Sequence, residues 1–491
     1  MSNRSHRRGR RLVAGGLTVL LLLGPSARAF AESAEERRLR VLEEMLQKTQ
    51  QQVEELHRQL EEQKAAAQAT QKKVDEAAIT AKTANAETKK LTSLPDWLGK
   101  TTLFGDVRYR QEGFYHQPRQ NGQDVTARNR ERVRARLGVR VAYSDEISAT
   151  IRAASGNIND PISTNETLTN DFTRKNFNLD WAYITFAPGQ SFGLRPGIAS
   201  INAGKFPLTM FRTDELVLDE DVSPEGLNET FQLLSQPHGA LDQLKLHAFQ
   251  WTFQEVSNNQ DGWTLGGQVN PSLHFGNVQL EAGLAQYWWL NADLIAQALS
   301  KNTTAFTSSG APVANPNFNS QLVNTNLLVV KNIQPPANSS GKLPAPFTAI
   351  TGYQSGFNET NFTLGATVPN VVLAKSLRLW ADYVYNWDAA TDDAQGYQLG
   401  LRLGQTKVKG DWSVYSFYEY LQQEAVISSF TCSEFGTQGT NLQGPSVGLD
   451  YQLLNPLTIS ARSYFTNYIN RPAGTSNPTL SRVQLDAVVK F

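Results

Sequence analysis

From about residue 101 onward, apolar and polar positions alternate one by one. Arg128 to Tyr143 is the clearest case. Val133, Ala135, Leu137, Val139, Val141 and Tyr143 hold the odd positions. Arg128, Arg130, Arg132, Arg134, Arg136 and Arg140 hold the even ones, broken only by Gly138. A strand sends alternate side chains to opposite faces, so one face is oily and the other a ladder of cations. A helix would scatter those arginines around its circumference. The same period recurs in Leu103–Glu112, Asn176–Ala187, Val278–Leu290, Leu377–Asp388, Tyr397–Leu403 and Leu457–Tyr468. With weaker segments the pattern predicts about sixteen strands between residues 101 and 491. An oily outside and a charged inside, repeated around many strands, predicts an all-β transmembrane antiparallel barrel with a watery lumen.

The breaks between segments alternate in length. Ser144–Glu146, Phe275–Gly276 and Asn455–Pro456 are short, whereas Gly156–Lys175, Pro207–Asn228, Asn291–Glu359 and Gln422–Leu442 are long. Short turns at one end and long loops at the other fit an outer-membrane barrel with an even strand count. In the last segment Val483, Leu485, Ala487, Val489 and Phe491 alternate with Arg482, Gln484, Asp486, Val488 and Lys490.

Before residue 101 the pattern is different. Arg4, Arg7, Arg8, Arg10 and Arg11 precede an apolar run from Leu12 to Leu23 and the small-residue stretch Pro25–Ala29. This reads as a signal peptide over 1–29 with cleavage after Ala29, or alternatively after Ala31. Residues 33–92 take up a heptad. Leu39, Leu46, Val53 and Leu60 lie at one core position, and Leu42, Leu56 and Leu91 at the other. A helix this polar buries its stripe only against copies of itself, so an N-terminal α-helical coiled coil standing in the periplasm is expected. A solvated single helix or a disordered spacer is the alternative, because the later core positions are small or polar. Pro95 stops the helix, and 93–100 reads as a linker with Trp97 at its membrane end.

Composition removes several classes. The 46 Lys and Arg equal the 46 Asp and Glu, which argues against a nucleic-acid binder. With Cys432 the only cysteine, no internal disulfide or cysteine-rich zinc site forms. The six histidines show no metal-binding spacing, so neither metal nor cofactor is expected. No Ser–His pair stands out, His247 and His274 being isolated in sequence, and an enzyme is not expected.

Several stretches resemble the putative porin family of bacterial outer-membrane β-barrels, and more distantly the phosphate-selective and general porins. They are Phe104–Arg110, the arginine strand, Leu179–Ile184, Gly204–Pro207 and Asp219–Leu227, within a resemblance spanning Pro95 to Phe491. A heptad rod ahead of the barrel also resembles that family. The resemblance implies an outer-membrane location and a homotrimer contacting outer-membrane lipid and lipopolysaccharide. It implies passive diffusion of small hydrophilic solutes, and a terminal Phe491 read by the barrel assembly machinery. The lysine-rich lumen of the phosphate-selective relatives has no counterpart here.

The resemblance also places the third outer loop inside the lumen against a basic wall. The candidate wall is Arg108, Arg110, Arg128, Arg130, Arg132, Arg134, Arg136 and Arg140. The candidate constriction is Asp214, Glu215, Asp219, Glu220, Asp221 and Glu225, in a loop with one arginine, Arg212. Cations facing anions across a narrow neck set up a transverse field that favours polar solutes. Stacked arginines repel, so Asp106, Glu112 and the loop acids are their expected partners. The alternative for the ladder is ion pairs with acids that brace the wall, and for the loop a surface segment facing solvent or binding divalent cations with lipopolysaccharide. A second function also fits the sequence: a plugged barrel whose rod tethers the outer membrane to peptidoglycan.

Overall fold

The computed structural model describes residues 48, 54, 55, 57–62, 64, 65, 68, 71–73, 76 and 80. From there it describes 96–116, 127–169, 171–213, 215–257, 259–307, 311–337, 341–436 and 438–491. The signal peptide, Asp214 and most of the predicted coiled coil lie outside the described residues. The chain divides into two compact units, Met1–Ser93 and Leu94–Phe491. In the first unit the described residues are helical and exposed. Arg58 meets Glu55 at 2.9 Å and Lys64 meets Glu61 at 3.0 Å, one helical turn apart. No described contact joins this helix to a second one.

The second unit is a closed barrel. Its sheet has seventeen strands, of which Glu166–Thr167 is a two-residue patch on a neighbour, leaving sixteen that form the wall. They are β1 (Thr101–Tyr115), β2 (Arg128–Ala142), β3 (Ile147–Ser155), β4 (Phe177–Phe186), β5 (Ala199–Lys205) and β6 (Glu225–Gln232). Then come β7 (Leu241–Gln254), β8 (Gly262–Phe275), β9 (Val278–Leu290), β10 (Asn358–Val371) and β11 (Ala374–Asn386). The wall finishes with β12 (Gln395–Gly404), β13 (Trp412–Leu421), β14 (Leu442–Leu454), β15 (Leu457–Tyr468) and β16 (Leu480–Lys490). Each strand pairs antiparallel with the next, and β16 returns to β1 from Asp106↔Lys490 to Tyr115↔Ser481. Closure leaves no open sheet edge, so the backbone groups of the wall pair between strands rather than with water, as a bilayer demands.

Burial alternates with the sequence period, and its sense is inverted relative to a water-soluble protein. Along β1 the apolar Val107 and Tyr109 are exposed, while Asp106, Arg108, Arg110 and Glu112 are buried. Leu137, Ile151, Leu284, Leu399, Leu449 and Leu485 likewise face outward around the barrel. Hydrocarbon solvates that outer face and leaves charged residues only the interior.

The barrel closes on a glycine. Phe491 exchanges backbone hydrogen bonds with Gly105, at 3.0 and 3.1 Å, and its ring lies over that residue. A β-carbon at Gly105 would sit 2.2 Å from the Arg136 carbonyl oxygen and 2.8 Å from Phe491 Cζ. Gly105→Val is therefore expected to cost about 1–3 kcal/mol, read as a lower urea midpoint in detergent. Gly99→Ala, whose added carbon meets nothing, serves as control. An unchanged midpoint in both variants would show that the seam has room to spare.

The short connections 143–146, 276–277, 372–373 and 455–456 lie at one end with both termini of this unit. The long ones, 156–176 (L2), 206–224 (L3), 291–357 (L5) and 422–441 (L7), lie at the other. The alternation is not strict, since 187–198 is long for its end and 255–261 short for its own. L5 carries a short helix, Asp293–Gln297, and two small hairpins.

Candidate functional site

Three of the long loops turn into the barrel and share one apolar core. L3 contributes Phe206, Met210, Leu216, Val217 and Leu218, L5 contributes Ile295, Ala296, Tyr353 and Phe357, and L7 contributes Ala425, Val426 and Ile427. They pack against Phe249, Trp251, Tyr287, Trp289 and Val384 of the wall. Burying this cluster offsets the entropy of ordering three long loops. L7 is thus an interior element, although its sequence reads as an outer loop. Its hydrogen bonds with L5 are dense: Asn326 Nδ2 donates to Gln423 O at 2.7 Å, and Ser428 N donates to Asn326 Oδ1 at 2.8 Å.

L3 crosses the lumen as a strap tied at both sides. Phe211 N donates to Gln268 Oε1 on β8 at 2.9 Å, and Gln268 Nε2 donates back to Phe211 O at 2.7 Å. Thr213 Oγ1 donates to Asp382 Oδ2 on β11 at 2.5 Å. Opposite, Asp221 Oδ1 lies 3.3 Å from Arg136 Nη1, and Glu220 lies 3.7 Å from Arg134. Asp219 joins L3 to L7. Its amide donates to Phe430 O at 2.8 Å, and its Oδ2 accepts the Ser433 amide at 2.6 Å. Burial, with Asp221 and Glu220 beside it, pushes the Asp219 carboxyl well above the usual carboxylate range.

The arginine ladder occupies the inner face of β1 and β2, with Arg108 opposite Arg134 and Arg110 opposite Arg132. Arg108, Arg110, Arg132 and Arg134 are buried, Arg130 and Arg136 half-buried, and Arg128 and Arg140 exposed. Acids keep the stack together. Asp106 meets Arg134 at 2.9 Å and Arg136 at 2.6 Å. Arg110 grips Asp486 of β16 with two bonds of 2.7 Å and also pairs with Glu434 of L7. Glu112 pairs with Arg130 and takes Arg482 Nη2 at 2.5 Å. Arg132 donates to Ser163 of L2 at 3.1 Å, and Arg108 to Asn165 at 2.5 Å. L2, L3 and L7 therefore all dock on this wall. Burial opposes ionisation of Glu434, yet Arg110, Arg108, Arg482 and Arg462 outweigh it and hold its carboxyl well below the usual range.

A cavity of about 380 Å³ borders the strap on its other side. Glu215, Asp219, Glu220 and Asp221 line it, with Arg378 of β11, Arg402 of β12 and Arg462 of β15 across from them. No member of the arginine ladder lines it. A second cavity, of about 560 Å³, lies at the long-loop end between L2, L3 and L5, and Asp221 borders both. Glu225 lines the second cavity and pairs with Lys205 at 2.9 Å. Strand parity turns Arg378, Arg402 and Arg462 inward, but only the path of L3 shows that they face its acids. Neither histidine is isolated: His247 meets Thr230 Oγ1 at 3.0 Å, and His274 meets Asp242 at 2.6 Å.

A family model described as "Putative porin" matches residues 116–491. No curated protein matches the chain. Solved structures similar to it include the following three. OprB of Pseudomonas putida has 12% identity and a TM-score of 0.46, over 81% of this chain and 96% of that one. The anion-selective porin of Comamonas acidovorans has 13% identity and a TM-score of 0.40, over 80% and 99%. The outer-membrane channel DcaP of Acinetobacter baumannii has 10% identity and a TM-score of 0.41, over 80% and 97%.

Proposed function

The chain belongs to the putative porin family, and from that premise we propose that it is an outer-membrane pore for passive diffusion of small hydrophilic solutes. The observation that carries the reading is the strap L3, tied across the lumen with its acids on a cavity whose far wall holds Arg378, Arg402 and Arg462. Cations and anions face each other over a narrow wet gap, an arrangement that selects for polar solutes and against apolar ones. In this reading the ladder on β1 and β2 lines the lumen mainly as an anchor, holding L2, L3 and L7 in place and setting the width of the neck. The reading includes a homotrimer among outer-membrane lipid and lipopolysaccharide. It also includes a cleaved signal peptide over 1–29, a periplasmic rod over 33–92, and Phe491 as the assembly signal at the seam.

The second reading, a plugged tether to peptidoglycan, draws on one observation: the apolar core that L3, L5 and L7 build inside the barrel. Planar-bilayer recording of protein purified from outer membranes separates the two. The porin reading expects steady single-channel steps in potassium chloride. A folded, heat-modifiable barrel that passes no current, in cells whose envelope blebs when 33–92 is deleted, would establish the tether.

A further inference from the structure

We propose that the cavity at the long-loop end is a binding site for a small organic cation carrying an apolar ring. The proposal deepens the porin reading by naming the solute class that the mouth takes up. Its volume, about 560 Å³, is in the range that encloses a small molecule. One wall is aromatic. Trp289 stacks on Phe430 with centroids 5.5 Å apart, Phe253 lies 5.8 Å from Trp289, and Phe318 stands exposed at the rim.

The charge of the lining is one-sided. Asp160, Asp180, Asp221 and Glu225 face a single ammonium, that of Lys205. Three of these acids are already matched: Asp180 by Arg152, Asp221 by Arg136 and Glu225 by Lys205. Asp160 is not. It is part-buried, its Oδ1 accepts the Ile162 amide at 3.2 Å, and no cation among the described residues lies within ion-pair distance. Burial pushes its carboxyl up to about 6, and Arg132 and Arg130 are too distant to restore it fully. A ligand ammonium beside Asp160 supplies the missing charge, and the ring faces attract both that charge and the apolar part of the molecule. A carboxylate ligand meets repulsion at the same place. Asn319 Nδ2 donates to Asn159 O at 2.7 Å, bridging L5 to L2 near Asp160 and holding the site's two halves together.

The test is calorimetry on detergent-purified protein with phenethylammonium, phenethyl alcohol and phenylacetate, which share a ring and differ in charge. Phenethylammonium is expected to bind about tenfold tighter than the alcohol, with phenylacetate weakest. Asp160→Asn keeps the oxygen that accepts the Ile162 amide, so L2 keeps its turn, and it is expected to erase the preference. Phe318→Ala is expected to weaken ammonium and alcohol alike. Equal affinity for ammonium and alcohol, a preference that survives Asp160→Asn, or tighter binding of maltose than of the ammonium would each overturn the proposal. Single-channel recording on the same preparation keeps the two readings apart. Current without a cation preference in binding removes only this site, and binding without current removes only the pore.

Discussion

Replacing Arg110 with Met is expected to destabilise the barrel by about 3–5 kcal/mol, the cost of removing one partner from a buried ion pair. Arg110 is fully buried and serves two acids at once, Asp486 on β16 and Glu434 on L7. Its loss leaves Asp486 in the interior without its cation and Glu434 with only the longer contact to Arg462, at 3.9 Å. It also opens two attachments: the side-chain clasp across the β1–β16 seam and one of the docking points of L7. Urea unfolding in detergent, with the heat-modifiable gel shift as second readout, measures the loss. Arg128→Met is the control, since Arg128 is an exposed arginine at the far end of the same ladder. Charge deletion there is expected to stay within about 0.5 kcal/mol. A double variant, Arg110→Met with Asp486→Leu, is expected to recover part of the loss, because the two sites share one interaction. If Arg110→Met and Arg128→Met shift the midpoint equally and slightly, the ladder bears no structural load, and its burial needs another reason.

The wall was legible in the sequence because one property fixes it locally. Alternation requires only that each residue differ from the next, and Val278–Leu290 and Leu457–Tyr468 coincide with strands β9 and β15. The first strand runs further than its pattern, from Thr101 to Tyr115 rather than Leu103 to Glu112, because its ends carry Thr, Gly and Tyr, which break the period without breaking the ladder of backbone bonds. The acid partners Asp106 and Glu112 were also legible, since they lie one strand away on the same face. What was not legible depends on the paths of loops. Arg110 and Glu434 meet across 324 positions of sequence, and no period reports such a meeting. L7 carried one hint of its interior course, the apolar run Ala425-Val426-Ile427, which has little reason to sit in an exposed loop. Arg378, Arg402 and Arg462 face inward by parity like dozens of other residues. Their place at the strap follows only once Thr213 is seen bound to Asp382.

Two of those arginines carry the second large expectation. Arg378 and Arg402 are directly opposed across β11 and β12, where like charges repel. Arg402 is partly satisfied, by Asp450 at 3.2 Å and the Tyr415 ring at 4.6 Å. Arg378 is exposed to the cavity, and no carboxylate among the described residues lies within ion-pair distance of it. A cation kept beside another cation, with no acid to justify it structurally, contributes to the field that solutes meet. Arg378→Gln with Arg402→Gln is therefore expected to move the pore toward cations. Under a tenfold potassium chloride gradient, full selectivity for a monovalent ion corresponds to roughly 59 mV. The double variant is expected to shift the reversal potential by about 20–40 mV toward the cation limit. Its unfolding free energy in urea should change by less than about 1 kcal/mol, since both side chains are partly solvated. Glu220→Gln, which removes a half-exposed acid from the strap, is the same experiment with its sign reversed and adds anion preference. Opposite shifts from the two changes, at unchanged stability, place both residues on the path of the ions. A reversal potential indifferent to both puts that path elsewhere in the barrel, and the ladder on β1 and β2 then becomes the next wall to neutralise.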